Sequence, residues 1–300
     1  MSELPFKNLT DIQDNYDLFL FDMWGVMIEG GETYEGVVEA INALAENKKV
    51  LFLTNAPRPN NIIADNLVRW GMKNITHERV FTSGDIARSI IKEKFLDENI
   101  IPKIMHLGQD RNDQILHNIN YIPVDNANNA DILLLSLYKD EHENIHEYDK
   151  LLQEATQNKN LLTICANPDT IVPNKGVQRY CAGYFAEIVE KAGGEVTYTG
   201  KPKREIYDKI LALYPDVPKN RILMIGDTFD TDILGAKTVG IHAALVLTGN
   251  SQKIHGNFST QNAKLKALYE HSVQNKIPVD FVMSITDSPL IRTNHSDSDL

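Results

Sequence analysis

The chain repeatedly sets a short apolar run before an amphipathic stretch: "YDLFLFD" precedes "YEGVVEAINALAEN", "KKVLFLTN" precedes "NNIIADNLVRWGM", and "RILMIGD" precedes "TDILGAKTVG". Short apolar runs alternating with helical periodicity are the mark of strand–helix–strand units, and such units close into a parallel sheet. An open parallel sheet binds ligands beyond the carboxyl ends of its strands. Asp22, Thr54 and Asp227 each end one of these runs. The pattern therefore predicts that they converge on one edge.

Between about residues 85 and 195 a second set of signals appears, with "IPKIMHLG", "ADILLLSLY", "EYDKLLQEATQN" and "LLTICANPD". It reads as a second α/β unit inserted into the first, so that residues 1–84 and 196–300 form the core domain and 85–195 the insert. A chain of 300 residues with 42% apolar content can fill one large core or two smaller ones. The net charge of -11 argues against nucleic acid or an anionic membrane surface as partner and fits a cation or a small substrate. Only Cys165 and Cys181 are present, which indicates neither a disulfide framework nor a zinc ribbon. No basic leader and no long uncharged apolar run occurs, so the expected setting is the cytoplasm. The end, "RTNHSDSDL", reads as a disordered tail.

The ordered series "DMWGV" at 22, "LTNAP" at 53, "GKPKREIY" at 200 and "GDTFDTDILGA" at 226 resembles the four motifs of the haloacid dehalogenase-like (HAD) hydrolase superfamily. More narrowly, "TSGDIARSII", "ANPDT" and "YCAGYFAEIVEKAGG" resemble its class IIA branch, which includes NagD-type and nitrophenyl-phosphate phosphatases. The resemblance covers about residues 16 to 250. It implies a Rossmann-like core with a parallel sheet and a large inserted α/β cap, acting as a magnesium-dependent phosphatase on a small phosphorylated metabolite. A homodimer is compatible with it.

The resemblance also implies roles. Asp22 is the nucleophile that forms an aspartyl phosphate. Thr54 hydrogen-bonds the transferring phosphoryl group, and Lys201 neutralises it. Asp22, the backbone carbonyl of Trp24 and Asp227 supply oxygen ligands to magnesium, while Asp232 acts from behind, on metal-bound water or on Lys201. Asn55 and Arg58 follow Thr54 and are candidates for substrate contact, with Asp169 on an overhanging cap loop; Arg179 is a further candidate cation. Asp230 and Thr231 are better read as capping residues.

One position departs from the pattern. HAD phosphatases carry a second aspartate two residues after the nucleophile, which protonates the leaving oxygen and then activates water. This chain has Trp24 there, and an indole N–H donates a hydrogen bond without useful acidity or basicity. Turnover is therefore expected to be slow, with a non-catalytic phosphometabolite-binding or regulatory protein as the alternative. Haloacid dehalogenases also carry an aromatic residue at this place, but "GDTFDTD" keeps the metal carboxylates and the insert is too large for their cap. The "HENIH" of residues 142–146 matches a zinc-protease pattern in letters only, because its flanks are too polar for a packed helix. Cys165, behind "LLTI", is expected to be a buried small hydrophobe.

Overall fold

The computed structural model of the protein describes residues 4–96, 100–174 and 176–286; the tail read as disordered, 292–300, lies outside the described residues. The chain divides into two compact units: one of residues 1–54, 63–81 and 207–300, the other of residues 55–62 and 82–206.

The first unit is built on a seven-stranded sheet in the order Phe6–Asn8, Phe281–Ser284, His242–Val246, Ile222–Gly226, Leu18–Phe21, Lys49–Thr54, Val80–Thr82. The central pairings are parallel, with Ile225 opposite Phe21 and Phe21 opposite Phe52. The central strands bury every residue of "LFLF" and "ILMIG", which is why they read as continuous apolar runs and not as alternating ones. The intervening amphipathic stretches form helices Val37–Ala45 and Asn60–Arg69, as their periodicity predicts. After Gly226 the chain enters a wide π turn, Phe229–Ile233, before the helix Leu234–Val239. Both Asp232 and Ile233 donate their backbone N–H to the Thr228 carbonyl. This wide turn swings Asp232 back over the strand end.

The second unit holds a five-stranded parallel sheet in the order Thr197–Tyr198, Leu162–Cys165, Ile132–Ser136, Lys103–Gly108, Ile122–Pro123. Apolar clusters cover both faces. Leu133, Leu135 and Phe185 belong to one, Ile104, Ile115, Leu134 and Ile164 to the other. A three-stranded antiparallel sheet adds Tyr138–Asp140, Val177–Cys181 and Ile171–Asn174. "CAGYFAEIVEKAGG" forms the helix Ala182–Lys191, and the chain leaves it through Gly193 at φ 85°. Residues 142–146 form turns between the Tyr138–Asp140 strand and the helix Asp149–Ala155, so "HENIH" lacks the helix its pattern needs.

At the carboxyl edge of this sheet, His106 bridges two elements. Its Nδ1 lies 2.9 Å from Asp113 and its Nε2 2.7 Å from the buried Ser136. Asn112 donates to the Ser136 carbonyl at 2.8 Å. Burial pushes the imidazole below its ordinary value of 6.5, partly offset by Asp113. The folded unit thus prefers neutral His106, whereas the unfolded chain takes up a proton near 6.5. The sign follows: His106 contributes stability above that pH, and the contribution is lost as pH falls through the lower, folded value. Thermal unfolding measured between pH 7.5 and 5 should show a falling midpoint, and the fall should be shallower in His106→Gln.

Candidate functional site

In the first unit, parallel pairing carries Asp22 and Asp227 to the same edge. The Asp22 N–H donates to the Ile225 carbonyl at 2.9 Å, so Asp22 continues the ladder by one residue. Asp22, Asp227 and Asp232 are 7%, 2% and 0% exposed, and each offers a ligand oxygen within 4.8 Å of the others. Among the described residues this is the only group of three or more His, Cys, Asp or Glu that could hold a metal ion. Thr54 ends the neighbouring strand and is also buried.

Three buried carboxylates repel one another unless their charge is spread or matched. The structure spreads part of it over donors. Asp232 Oδ2 accepts the backbone N–H groups of Asp227 at 3.2 Å and Thr228 at 3.1 Å. Asp227 Oδ1 accepts the Thr228 hydroxyl at 2.7 Å, and its Oδ2 accepts the Asn250 N–H at 2.7 Å. Asp232 therefore sits behind Asp227 with one oxygen committed to the backbone.

Two glycines make the approach feasible. Gly25 has φ 79° and Gly249 φ 62°, and a Cβ on either would fall 2.0 Å from Asp227 Oδ2. Sequence reasoning missed this second loop, residues 248–251. Its signal was present as "LTGN" directly after the apolar "HAALV". Ser251 fixes the loop by donating to the carbonyls of Val246 and Thr248, with His255 Nε2 3.3 Å from the same hydroxyl. Burial holds the His255 imidazole below its usual range.

Trp24 lies in a tight coil. The Met23 carbonyl accepts the N–H groups of Met27 at 2.9 Å and Ile28 at 3.1 Å, Gly25 donates to the Ile28 carbonyl at 2.8 Å, and Trp24 bridges Ile28. The backbone here is fixed by its own hydrogen bonds.

In the second unit, Asn55, Asp169 and Lys201 come together. The Asn55 side chain accepts the Lys201 N–H at 2.8 Å and donates to the Lys201 carbonyl at 3.2 Å and to Asp169 at 2.9 Å. It thus clamps the Lys201 backbone from both sides. Gly200, at φ 89°, allows this, because a Cβ there would lie 2.5 Å from the Asn55 oxygen. Lys201 is 2% exposed, and an ammonium this deep requires partners. Asp169 is turned by its N–H to the Asn167 side chain at 3.1 Å. The Arg58 guanidinium lies 3.4 Å from the Gln114 side chain. Arg179 pairs with Asp140 across the antiparallel sheet and lies 5.9 Å from the Tyr138 ring centre. Cys165 is fully buried and its thiol is pushed far up by burial, as expected of a packing residue.

Comparison with known proteins agrees with this geometry. Residues 19–122 match the haloacid dehalogenase-like hydrolase model, and residues 198–268 match a HAD-hydrolase-like model. A haloacid dehalogenase-like hydrolase from Brucella suis 1330, solved by crystallography, is 31% identical and superposes with a TM-score of 0.73, covering 87% of this chain and 96% of its own. The chain belongs to the haloacid dehalogenase-like hydrolases. Phosphoglycolate phosphatase 2 of Arabidopsis thaliana is 25% identical over 95% of this HAD hydrolase and 98% of its own length. Glycerol-3-phosphate phosphatase of Gallus gallus is 27% identical over 79% and 81%. No helix among the described residues is long and apolar enough to cross a membrane.

The clearance at Gly25 yields a direct test. Gly25→Ala should strain the coil and push on Asp227, so calorimetric titration with a divalent ion should show affinity lowered roughly tenfold or more, comparable to Asp227→Ala. Binding unchanged in both folded variants would remove the metal assignment.

Proposed function

We propose that this HAD hydrolase is a phosphatase that cleaves small phosphorylated metabolites through an aspartyl phosphate on Asp22, with magnesium as its metal. The observation that carries the reading is the convergence of Asp22, Asp227 and Asp232 at one sheet edge, their ligand oxygens within 4.8 Å of one another. Buried oxygen donors of this kind suit a hard divalent cation. Asp22, Asp227 and the backbone carbonyl of Trp24 would hold it, with Asp232 bracing Asp227 from behind. When bound, magnesium neutralises phosphoryl charge and orients the oxygens. The names of the Arabidopsis and chicken relatives support a small phosphorylated substrate.

The chain's own residues account for the rest of the chemistry. Asp22 attacks phosphorus in line with the leaving oxygen, and the acyl phosphate is then cleaved by water. Thr54 and Lys201 take the roles that the family resemblance gives them, hydrogen bonding and charge neutralisation of the phosphoryl oxygens. Asn55 acts as a positioning residue, since its amide is already engaged with Lys201 and Asp169.

Trp24 can neither protonate the leaving oxygen nor take a proton from water. General acid–base catalysis is worth roughly 10²- to 10⁴-fold, or about 3 to 5 kcal/mol of barrier. Esters whose leaving group needs no proton should therefore be strongly favoured, and the acyl phosphate should break down slowly. The same residue is the one feature that favours a second reading, a phosphometabolite-binding protein without turnover.

Rapid mixing with an aryl phosphate should show a burst followed by a slower steady state, and Asp22→Asn should abolish both. Trp24→Asp should raise the rate on an alkyl phosphate by roughly 10²-fold relative to the aryl ester. Tight binding of a phosphometabolite with no Asp22-dependent turnover would sink the phosphatase and leave the binder.

A further inference from the structure

Beside the acidic cluster, one side chain is engaged in a way that the chemistry above does not call for. Asn250 follows Gly249, whose backbone passes directly against Asp227 Oδ2. Its backbone N–H donates to that same oxygen at 2.7 Å, and its side-chain Nδ2 donates to the Thr228 hydroxyl at 3.0 Å. The Thr228 hydroxyl in turn donates to Asp227 Oδ1 at 2.7 Å. A hydroxyl has a single proton, and with that proton given to the carboxylate Thr228 can only accept from Asn250. The amide is thereby oriented with its nitrogen toward Thr228, and its Oδ1 is left buried with no hydrogen-bond partner among the described residues. A buried amide oxygen without a donor is destabilising, so the contribution of Asn250 lies in its two donors.

These bonds fix a plane. Asp227 Oδ2 is held from the loop of residues 248–251, and Oδ1 from the turn that follows the strand Ile222–Gly226. The loop is itself tied down, since Ser251 donates to the carbonyls of Val246 and Thr248 and the Thr248 hydroxyl donates to the Gly25 carbonyl. Turning the Asp227 carboxyl group about its Cβ–Cγ bond would therefore break a bond at each oxygen. The Thr228 hydroxyl could swing away by rotation of its own side chain, and the Asn250 amide opposes that rotation. The result is a carboxylate with a set direction at a position that the metal assignment makes a ligand.

Building on the metal assignment in the phosphatase reading, we propose that Thr228 and Asn250 are positioning residues that bias the site toward magnesium and against calcium. Magnesium demands short, near-octahedral oxygen ligation, whereas calcium takes more oxygens at longer and less regular positions and often draws both oxygens of one carboxylate. Selectivity between the two rests on the number and flexibility of the ligands. A carboxylate that can turn adapts to calcium. One that carries a donor from a separate element on each oxygen resists turning. Thr228 supplies the first donor, and Asn250 supplies the second and steadies the first. Both residues act through Asp227.

The test is the ratio of magnesium to calcium affinity, measured by calorimetric titration of the full chain with each chloride. Thr228→Val loses the hydroxyl and keeps the shape, and it should shift that ratio toward calcium roughly tenfold from wild type. Thr228→Ser keeps the hydroxyl and should hold the wild-type ratio. Asn250→Ala keeps its backbone N–H and loses only the amide, so its shift should be smaller, roughly threefold. The double variant should shift no further than Thr228→Val alone, because the amide reaches Asp227 only through the hydroxyl. Residues that merely support the loop would weaken both ions alike and leave the ratio unmoved. A folded Thr228→Val with the wild-type ratio, a Thr228→Ser shifted as far as Thr228→Val, or additive shifts in the double variant overturn the proposal, while loss of ion binding in Asp227→Ala keeps the metal assignment intact. If wild type binds neither ion, or Asp227→Ala binds both as wild type does, the assignment and the proposal fall together. Should Thr228→Val not fold, Asn250→Ala carries the test, and an unchanged ratio there overturns the proposal.

Discussion

Everything in the first unit is arranged around the mutual repulsion of three carboxylates that parallel pairing forces to one edge. Like charges this close and this buried cannot all stay ionised without compensation. Asp232 is held by two backbone N–H groups, Asp227 by a hydroxyl and a third N–H. The π turn at Phe229–Ile233 exists in the geometry that makes the first of these possible. Hydrogen bonds from neutral donors spread negative charge but do not cancel it. The remainder is what a divalent cation would offset, and Gly25 and Gly249 let the backbone pass directly against Asp227, since a Cβ on either would fall 2.0 Å from its Oδ2.

The second unit solves a different problem, how to hold a cation. Lys201 has a long, flexible stem with about 2 kcal/mol of rotamer entropy to lose. Its backbone is clamped by both ends of one amide, so the side chain starts from a fixed root. The same amide reaches Asp169, so a single residue directly after Thr54 sets the positions of two others 114 and 146 residues away. An Asn55→Asp change would turn a donor into an acceptor facing both the Lys201 carbonyl and Asp169. It would replace two of the three bonds with acceptor–acceptor contacts.

Much of this was legible in the sequence because strand ends are local. The apolar runs before Asp22, Thr54 and Asp227 are fully buried central strands, and burial on both faces leaves the period-free pattern that marks them. Cys165 was legible for the same reason. What escaped depends on pairing between distant segments. Nothing around "LTNAP" says that the Asn55 amide is spent on Lys201, and nothing around "IMHLG" ties His106 to Ser136 thirty residues on.

Trp24 fits this charge balance. An aspartate at 24 would add a further carboxylate two residues from Asp22, beside three carboxylates already buried together. Replacing that aspartate with a neutral aromatic keeps the backbone carbonyl, which any residue provides, and removes one negative charge from the crowded edge. The coil is closed by main-chain hydrogen bonds of Met23, Gly25, Met27 and Ile28.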